Sequence, residues 1–259
     1  MKLHEYHARQ FLKEVEIPIS AGEAVFRVKE MAGAFKRYAH PNCVVKVQVL
    51  MGGRGKAGGV LKVKSAAEAE AFAEKFLGKL FSTYQSAGES KIVRSILVTE
   101  DMRIRQEYYL GIVIDRAKNQ PVILFSREGG VEIEEVAAKN PSAIHKIHFS
   151  PNKLPSANEI LSSIRPLYPS RVIPEQIAII AQKLAKLYVE KDASTAEINP
   201  LSLVDGDRVL ALDAKMVFDD NALFRHADIL GMKDPDEEDE RKAKEFGLSY
   251  VSMNGNVGC

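Results

Sequence analysis

Val45-Lys46-Val47-Gln48-Val49-Leu50-Met51-Gly52-Gly53-Arg54-Gly55-Lys56-Ala57-Gly58-Gly59-Val60-Leu61-Lys62-Val63 is the segment from which the architecture of this chain follows. Before the glycines the residues alternate as in a strand, with Lys46 and Gln48 on one face and Val45, Val47 and Val49 on the other. Residues 60–63 are again strand-like. Gly53-x-Gly55-x-x-Gly58 matches the dinucleotide fingerprint as a string, but that fingerprint needs a helix to open at the glycines. β-Branched residues follow instead, which excludes a Rossmann turn. A Walker A loop is excluded as well, because Ala57 follows Gly55-Lys56 and Leu50 stands where its first glycine belongs. The kinase glycine loop lacks its companions, since no H-R-D or D-F-G follows. What remains is a strand, a glycine hairpin and a strand. Its backbone N–H groups can approach phosphate oxygens, with Lys46, Arg54 and Lys56 supplying positive charge. Taken alone, the segment leaves a ligand-free surface hairpin open.

The run from Glu197-Ile198-Asn199-Pro200 through Asp205-Gly206-Asp207 to Leu212-Asp213 carries a second signal. Asp205-Gly206-Asp207 marks a turn between two alternating apolar runs. A hairpin centred on Gly206 places Asn199 opposite Asp213, and Glu197 opposite Lys215 on the same face. Opposed Cβ atoms lie about 5 Å apart, near enough for two oxygen ligands to share one cation. Mg²⁺ suits such a pair, since it keeps water and phosphate oxygens in its other positions. A solvated polar face is the alternative, and a one-residue slip of register would undo the pairing.

Around these two segments the pattern predicts further elements. Helices are expected over residues 3–15, from Ser65 (with Glu68 as a capping box) to Gly78, and over 174–189. Strands are expected over 96–98, 108–114 and 121–125. The acidic stretch 234–240 reads as a linker or a helix start, followed by a short helix over 241–246 and a strand over 248–251. Helices mixed with strands imply an α+β or α/β architecture.

Composition sets outer bounds. The chain has 259 residues, 36 Lys+Arg against 35 Asp+Glu, and 46% hydrophobic content, an ordinary globular mixture. A net charge of +1 gives no general attraction for nucleic acid or anionic lipid. The longest apolar run, Ile177-Ala178-Ile179-Ile180-Ala181, is far short of the ~20 residues of a membrane span. Two sparse cysteines and no apolar signal core at the start lead to the expectation of a cytoplasmic protein. The six histidines fall in no nucleophile or metal pattern.

The motifs together resemble one family, the β subunit of succinyl-CoA synthetase. The resemblance is carried by Leu3-His4-Glu5-Tyr6-x-Ala8-Arg9, the glycine segment, Glu107-x-Tyr109-Leu110-Gly111, Glu128-Gly129-Gly130-Val131-Glu132-Ile133-Glu134 and Ile144-His145-Lys146. Glu197-Ile198-Asn199-Pro200, Leu212-Asp213-x-Lys215 and Asn221-Ala222-Leu223-Phe224-Arg225 continue it in order, so it covers essentially the whole chain. The resemblance implies an α+β ATP-grasp fold of two subdomains in residues 1–238. Residues 239–259 would then be a linker helix and the first strand of a C-terminal α/β domain whose remainder is absent.

By matching position, the resemblance implies that Lys46, Gly53, Arg54, Gly55, Thr99, Glu100, Met102 and Glu107 contact ATP. Asn199 and Asp213 would bind Mg²⁺, and Glu197 would stand where a partner's phosphorylated histidine docks. The implied activity is that of an ADP-forming acid–CoA ligase, with an α subunit carrying the phosphohistidine and the CoA site. Succinate is the expected acid, with citryl-CoA or malyl-CoA ligase large subunits as relatives sharing these motifs. A non-catalytic nucleotide-binding scaffold, or a carboxylate–amine ligase without phosphohistidine, would be the rival readings. One departure stands out: where the family has a Val-Glu strand end, this chain has Thr99, with Glu100 one place later. The base preference stays open for that reason.

Overall fold

The computed structural model describes residues 1–86, 88–234, 242–243, 245–248 and 250. Of the helix expected over 241–246, residues 242, 243 and 245 are helical; residues 241, 244, 249 and 251 and the division at residue 238 lie outside the described residues.

The elements in chain order are α1 (Glu5–Glu14), β1 (Gly22–Val25), α2 (Met31–Tyr38), β2 (Cys43–Gln48), β3 (Val60–Val63), α3 (Ala66–Phe76), β4 (Leu80–Phe81), β5 (Lys91–Ile92) and β6 (Ser95–Glu100). They continue as β7 (Ile104–Asp115), β8 (Gln120–Ser126), α4 (Ile133–Lys139), β9 (Ile144–His148), α5 (Ala157–Ile164), α6 (Val172–Glu190), β10 (Ala193–Val204), β11 (Arg208–Ala211), β12 (Lys215–Phe218) and α7 (Ala227–Leu230).

Two antiparallel sheets organise the chain. The smaller has strand order β1-β6-β2-β3, and the larger runs β11-β10-β7-β8-β9 with β12 also on β10. Alternation in β2 sends Cys43, Val45 and Val47 into a core with Val63, Phe72, Phe76, Ile96 and Val98, beneath α2 and α3. Each such buried aliphatic side chain contributes roughly 1.5–3 kcal/mol. The register pairs Lys46 with Leu97 and Val44 with Thr99, so these four residues share the opposite face.

The larger core forms where α5 and α6 cover the second sheet. Ile177, Ile180, Ala181, Leu184 and Leu187 of α6 meet Leu110, Ile112, Ala196 and Ile198. Helix α1 belongs to this core through Ala8, Phe11 and Leu12. The expected capping box at α3 is half formed. Ser65 Oγ accepts from Glu68 N at 3.2 Å, while the Glu68 carboxylate turns to Lys64 N at 2.8 Å.

The hairpin around Gly206 has the register expected of it. Leu201 pairs with Ala211 and Val204 with Arg208, and further out Glu197 pairs with Lys215. Gly206 and Asp207 adopt φ of 77° and 54°, the left-handed turn geometry that glycine and aspartate tolerate. Between β11 and β12 the ladder is interrupted, and there Asn199 stands level with Asp213. On its other edge β10 shifts register against β7 between Ile198 and Leu201. Such a bulge re-aims side chains locally. The Asn199–Pro200 peptide is cis.

Candidate functional site

A cleft of about 880 Å³ opens between the two sheets, lined by Gly52 to Lys56 on one side and by Glu107, Glu197, Asn199, Asp213 and Lys215 on the other. The two signals read from the sequence therefore meet across one cavity.

Its cations are held by carboxylates. Lys46 Nζ lies 2.8 Å from Glu5 Oε1 and donates to the Leu212 carbonyl at 2.7 Å. Arg54 Nη2 donates to Glu5 Oε2 at 3.1 Å and to the two Asp213 oxygens at 3.0 and 3.2 Å. Arg54 Nη1 reaches the Val47 carbonyl at 3.2 Å. Arg9 adds a third cation, 3.8 Å from Glu5, and its guanidinium also bonds the Ser20 carbonyl. Glu5 is buried, its side chain 1% exposed. Burial works to raise its pKa, but Lys46, Arg54 and Arg9 outweigh it and draw the carboxyl down to about 2. For Asp213, burial and the neighbouring Glu5 charge push the carboxyl up, against the pull of Arg54 and Lys46.

The glycine turn after β8 fits against this wall. Asn199 Oδ1 accepts from Gly130 N at 2.8 Å, and Asn199 Nδ2 donates to the Val131 carbonyl at 2.9 Å. Gly130 has φ of +70°, and a Cβ there would lie 2.3 Å from Glu107 Oε2, so only glycine brings the backbone this close. Burial pushes the Glu107 carboxyl up. Burial likewise raises Glu197, with Lys215 and the Tyr109 hydroxyl pulling the other way. That hydroxyl donates to Glu197 at 3.3 Å.

At the mouth, the glycine hairpin rests on Tyr84 and Gln85. A Cβ on Gly53, where φ is +74°, would lie 2.6 Å from the Tyr84 ring. The Tyr84 hydroxyl and Gln85 Nε2 both donate to Glu132 of the larger subdomain, at 3.2 and 2.9 Å. Lys56 sits 5.1 Å over the Tyr84 ring.

The structure thus brings Gly53, Arg54, Gly55, Glu107, Glu197, Asn199 and Asp213 to one cleft, while Lys46 is buried behind Glu5 and reaches the Leu212 carbonyl rather than lining the cavity. Thr99 lies on the Lys46 face of the small sheet, one strand-pair beyond it, buried against Gly22. Glu100 points to the other face, where its carboxylate accepts from Ala21 N at 3.0 Å. Met102 lies in the connection between β6 and β7, half-buried. Thr99, Glu100 and Met102 do not line the phosphate-side cavity. The histidines stand elsewhere: His148, His226 and His4 pair with Asp115, Asp192 and Asp234 at 2.7, 2.7 and 2.8 Å.

Glu5, Arg9, Tyr109, Tyr84 and Gln85 carry no sequence signal of a role. Glu5, Arg9 and Tyr109 lie inside the motifs that carry the resemblance, but nothing local marks which cation a carboxylate will meet. Glu5 and Lys46 are 41 positions apart, Glu5 and Arg54 49.

Oxygen donors for a divalent cation are present in Asn199 and Asp213, a pair suited to Mg²⁺. Among the described residues no group of three or more His, Cys, Asp or Glu could hold a metal. A cation held by this pair would keep positions open for water and phosphate oxygens. Asp213 already accommodates positive charge in Arg54, so the donor set fits.

Two sheets closing on a cleft, a glycine hairpin with cations on one wall and oxygen donors on the other, define an ATP-grasp domain. The ATP-grasp domain family model matches residues 2–203. The chain is 42% identical over a 264-position alignment to a succinate–CoA ligase [ADP-forming] subunit beta from Geobacillus kaustophilus, covering all of this chain and 68% of that protein. A protein of the same description from Nitratiruptor is 43% identical, with 67% of it covered. The chain belongs to the family of succinate–CoA ligase [ADP-forming] β subunits, and spans about two thirds of the length of these relatives.

Among solved structures, ATP citrate lyase from Methanothrix soehngenii in complex with citrate and coenzyme A shares the fold with a TM-score of 0.66 at 21% identity. That match covers 94% of this chain and 59% of that one. The dinucleotide-forming acetyl-coenzyme A synthetase 1 of Ca. Korarchaeum cryptofilum gives 0.64 at 17% identity, over 84% of this chain and 93% of that one. No helix among the described residues is long and apolar enough to cross a membrane.

Proposed function

We propose that this chain is the nucleotide-binding β subunit of an ADP-forming acid–CoA ligase. It would work with an α subunit that bears a phosphorylated histidine and the CoA site, and succinate would be the acid. The family membership supports the ligase reading. The observation that carries the site assignment is the meeting of Arg54 with Asn199 and Asp213 across one cleft, with Lys46 held beside it through Glu5 and the Leu212 carbonyl.

Phosphoryl transfer demands alignment and charge neutralisation more than covalent help from the protein. Lys46 and the backbone of the hairpin at Gly53, Arg54 and Gly55 would hold the phosphates. Mg²⁺, when bound at Asn199 and Asp213, would neutralise charge on the β- and γ-oxygens. Thr99, on the Lys46 face, and Met102 at the connection would lie towards the base, with Glu107 lining the opposite wall. Glu197, half-buried at the cleft wall near Asp213, would receive the partner's histidine. Its pKa, raised by burial, suits a carboxyl that meets a nitrogen base.

The test uses the chain assembled with its cognate α subunit, CoA and each of succinate, citrate and malate. Expected are ADP release, ³²P transfer from [γ-³²P]ATP to an α-subunit histidine, and succinyl-CoA. Absence of a thioester with every acid would overturn the reading.

A further inference from the structure

Glu5 lies in the first turn of α1, a helix whose apolar face is built into the larger core. Its carboxylate nonetheless reaches two cations of the smaller subdomain. One oxygen takes Lys46 from strand β2, and the other takes Arg54 from the glycine hairpin. The α1 backbone is tied to the same strand, since Tyr6 N donates to Gln48 Oε1 at 3.2 Å. Arg9, one helical turn further on, lies 3.8 Å away, and the Asp213 carboxylate also faces Glu5.

Lys46 and Arg54 arrive from different pieces of backbone, and each is a long, flexible cation whose placement has to be imposed. A carboxylate bridging them with separate oxygens sets their spacing, and burial strengthens that restraint. The same charge also opposes any other anion that approaches the two cations.

We propose that Glu5 is a positioning residue of the phosphate site: it spaces Lys46 and Arg54 for the polyphosphate and tempers their ground-state hold on it. This rests on the nucleotide-binding reading above. Two opposite effects follow from neutralising Glu5. Ground-state affinity for polyphosphate rises, because a resident negative charge is gone. Turnover falls, because Lys46 and Arg54 are no longer aligned where charge develops.

The experiment compares Glu5→Gln and Glu5→Asp with the wild type, each assembled with the α subunit. Dissociation constants for ADP and for inorganic tripolyphosphate are measured by calorimetry, alongside kcat, KM for ATP and Tm. For Glu5→Gln we expect both ligands to bind at least about threefold more tightly and kcat to fall by about tenfold or more. Glu5→Asp keeps the charge on a shorter arm, so its affinities return to within about twofold of wild type while kcat stays low. Unchanged affinity and turnover in Glu5→Gln overturn the proposal. So does a joint loss of affinity, turnover and Tm in both variants, which would mark a purely structural residue. Wild-type chain that binds no ADP overturns the nucleotide reading first, and the proposal with it.

Discussion

Arg54 and Asp213, 159 residues apart, are joined by two hydrogen bonds at 3.0 and 3.2 Å, one to each carboxylate oxygen. The guanidinium of the glycine hairpin thereby occupies the oxygens assigned to a divalent cation. On the proposed assignment a metal at Asp213 would compete with Arg54 for those oxygens, leaving Arg54 paired with Glu5. Polyphosphate is a further anion that would draw Arg54 away, so metal and nucleotide should enter together. We expect Arg54→Ala to bind Mn²⁺ alone at least about threefold more tightly than wild type, while its affinity for Mg-ADP falls. Mn²⁺ titration followed by electron paramagnetic resonance, with calorimetry for Mg-ADP, checks both; a weaker metal affinity in the variant contradicts the exchange.

The glycine hairpin offers an internal comparison. Gly53 combines positive φ with a Tyr84 ring atom 2.6 Å from the position of a Cβ, whereas nothing lies within 4 Å of one on Gly55. Gly53→Ala should cost about 1–3 kcal/mol by urea denaturation, and Gly55→Ala within about 0.5 kcal/mol. Equal costs at the two positions would contradict the packing described for Tyr84.

Acid stability should carry the mark of Glu5. Its folded pKa, about 2, is below the ordinary value of 4.5, so the folded state holds the proton less tightly than the unfolded chain. The resulting stabilisation is present above about pH 4.5 and is lost as the pH falls from there towards 2. Denaturation midpoints measured from pH 6 to 2.5 should drop less steeply in Glu5→Gln than in wild type. Parallel profiles would deny Glu5 this share.

Cys43 tests the smaller core. Its thiol is fully buried in strand β2, and burial, with Asp101 nearby, pushes it up to about 11. At pH 8 the reactive thiolate is therefore scarce as well as inaccessible. Iodoacetamide labelling followed by mass spectrometry should leave Cys43 unmodified in native protein and modify it in 6 M guanidinium. Rapid native labelling would mean that the small sheet opens readily.

Much of this arrangement is legible in the sequence because it depends on short-range periodicity. Alternation places Val45 and Val47 inside and Lys46 outside, and turn chemistry at Gly206 fixes the level of Asn199 and Asp213. The pairs Leu201–Ala211 and Glu197–Lys215 bear out that register. What periodicity leaves dark is electrostatic partnership. Glu5 reads only as a polar residue at the start of a helix, and its meeting with Lys46 and Arg54 depends on how two subdomains close. The fate of Glu100 was equally hidden. Strand alternation turns it from the Lys46 face, and a backbone amide at Ala21 engages it. The contact of Tyr84 and Gln85 with Glu132 joins segments with no shared pattern.

The interruption between β11 and β12 has a mechanical consequence. Strand β10 is anchored on either side of it, by Leu201–Ala211 inward and Glu197–Lys215 outward. Residues 199 and 213 therefore sit in a notch between two clamped rims, crossed by the bond from Leu212 N to the Pro200 carbonyl at 3.2 Å. Their side chains are held from outside the ladder, Asn199 by Gly130 and Val131 and Asp213 by Arg54. A movement of either glycine turn would therefore reach this pair without any slip in the sheet.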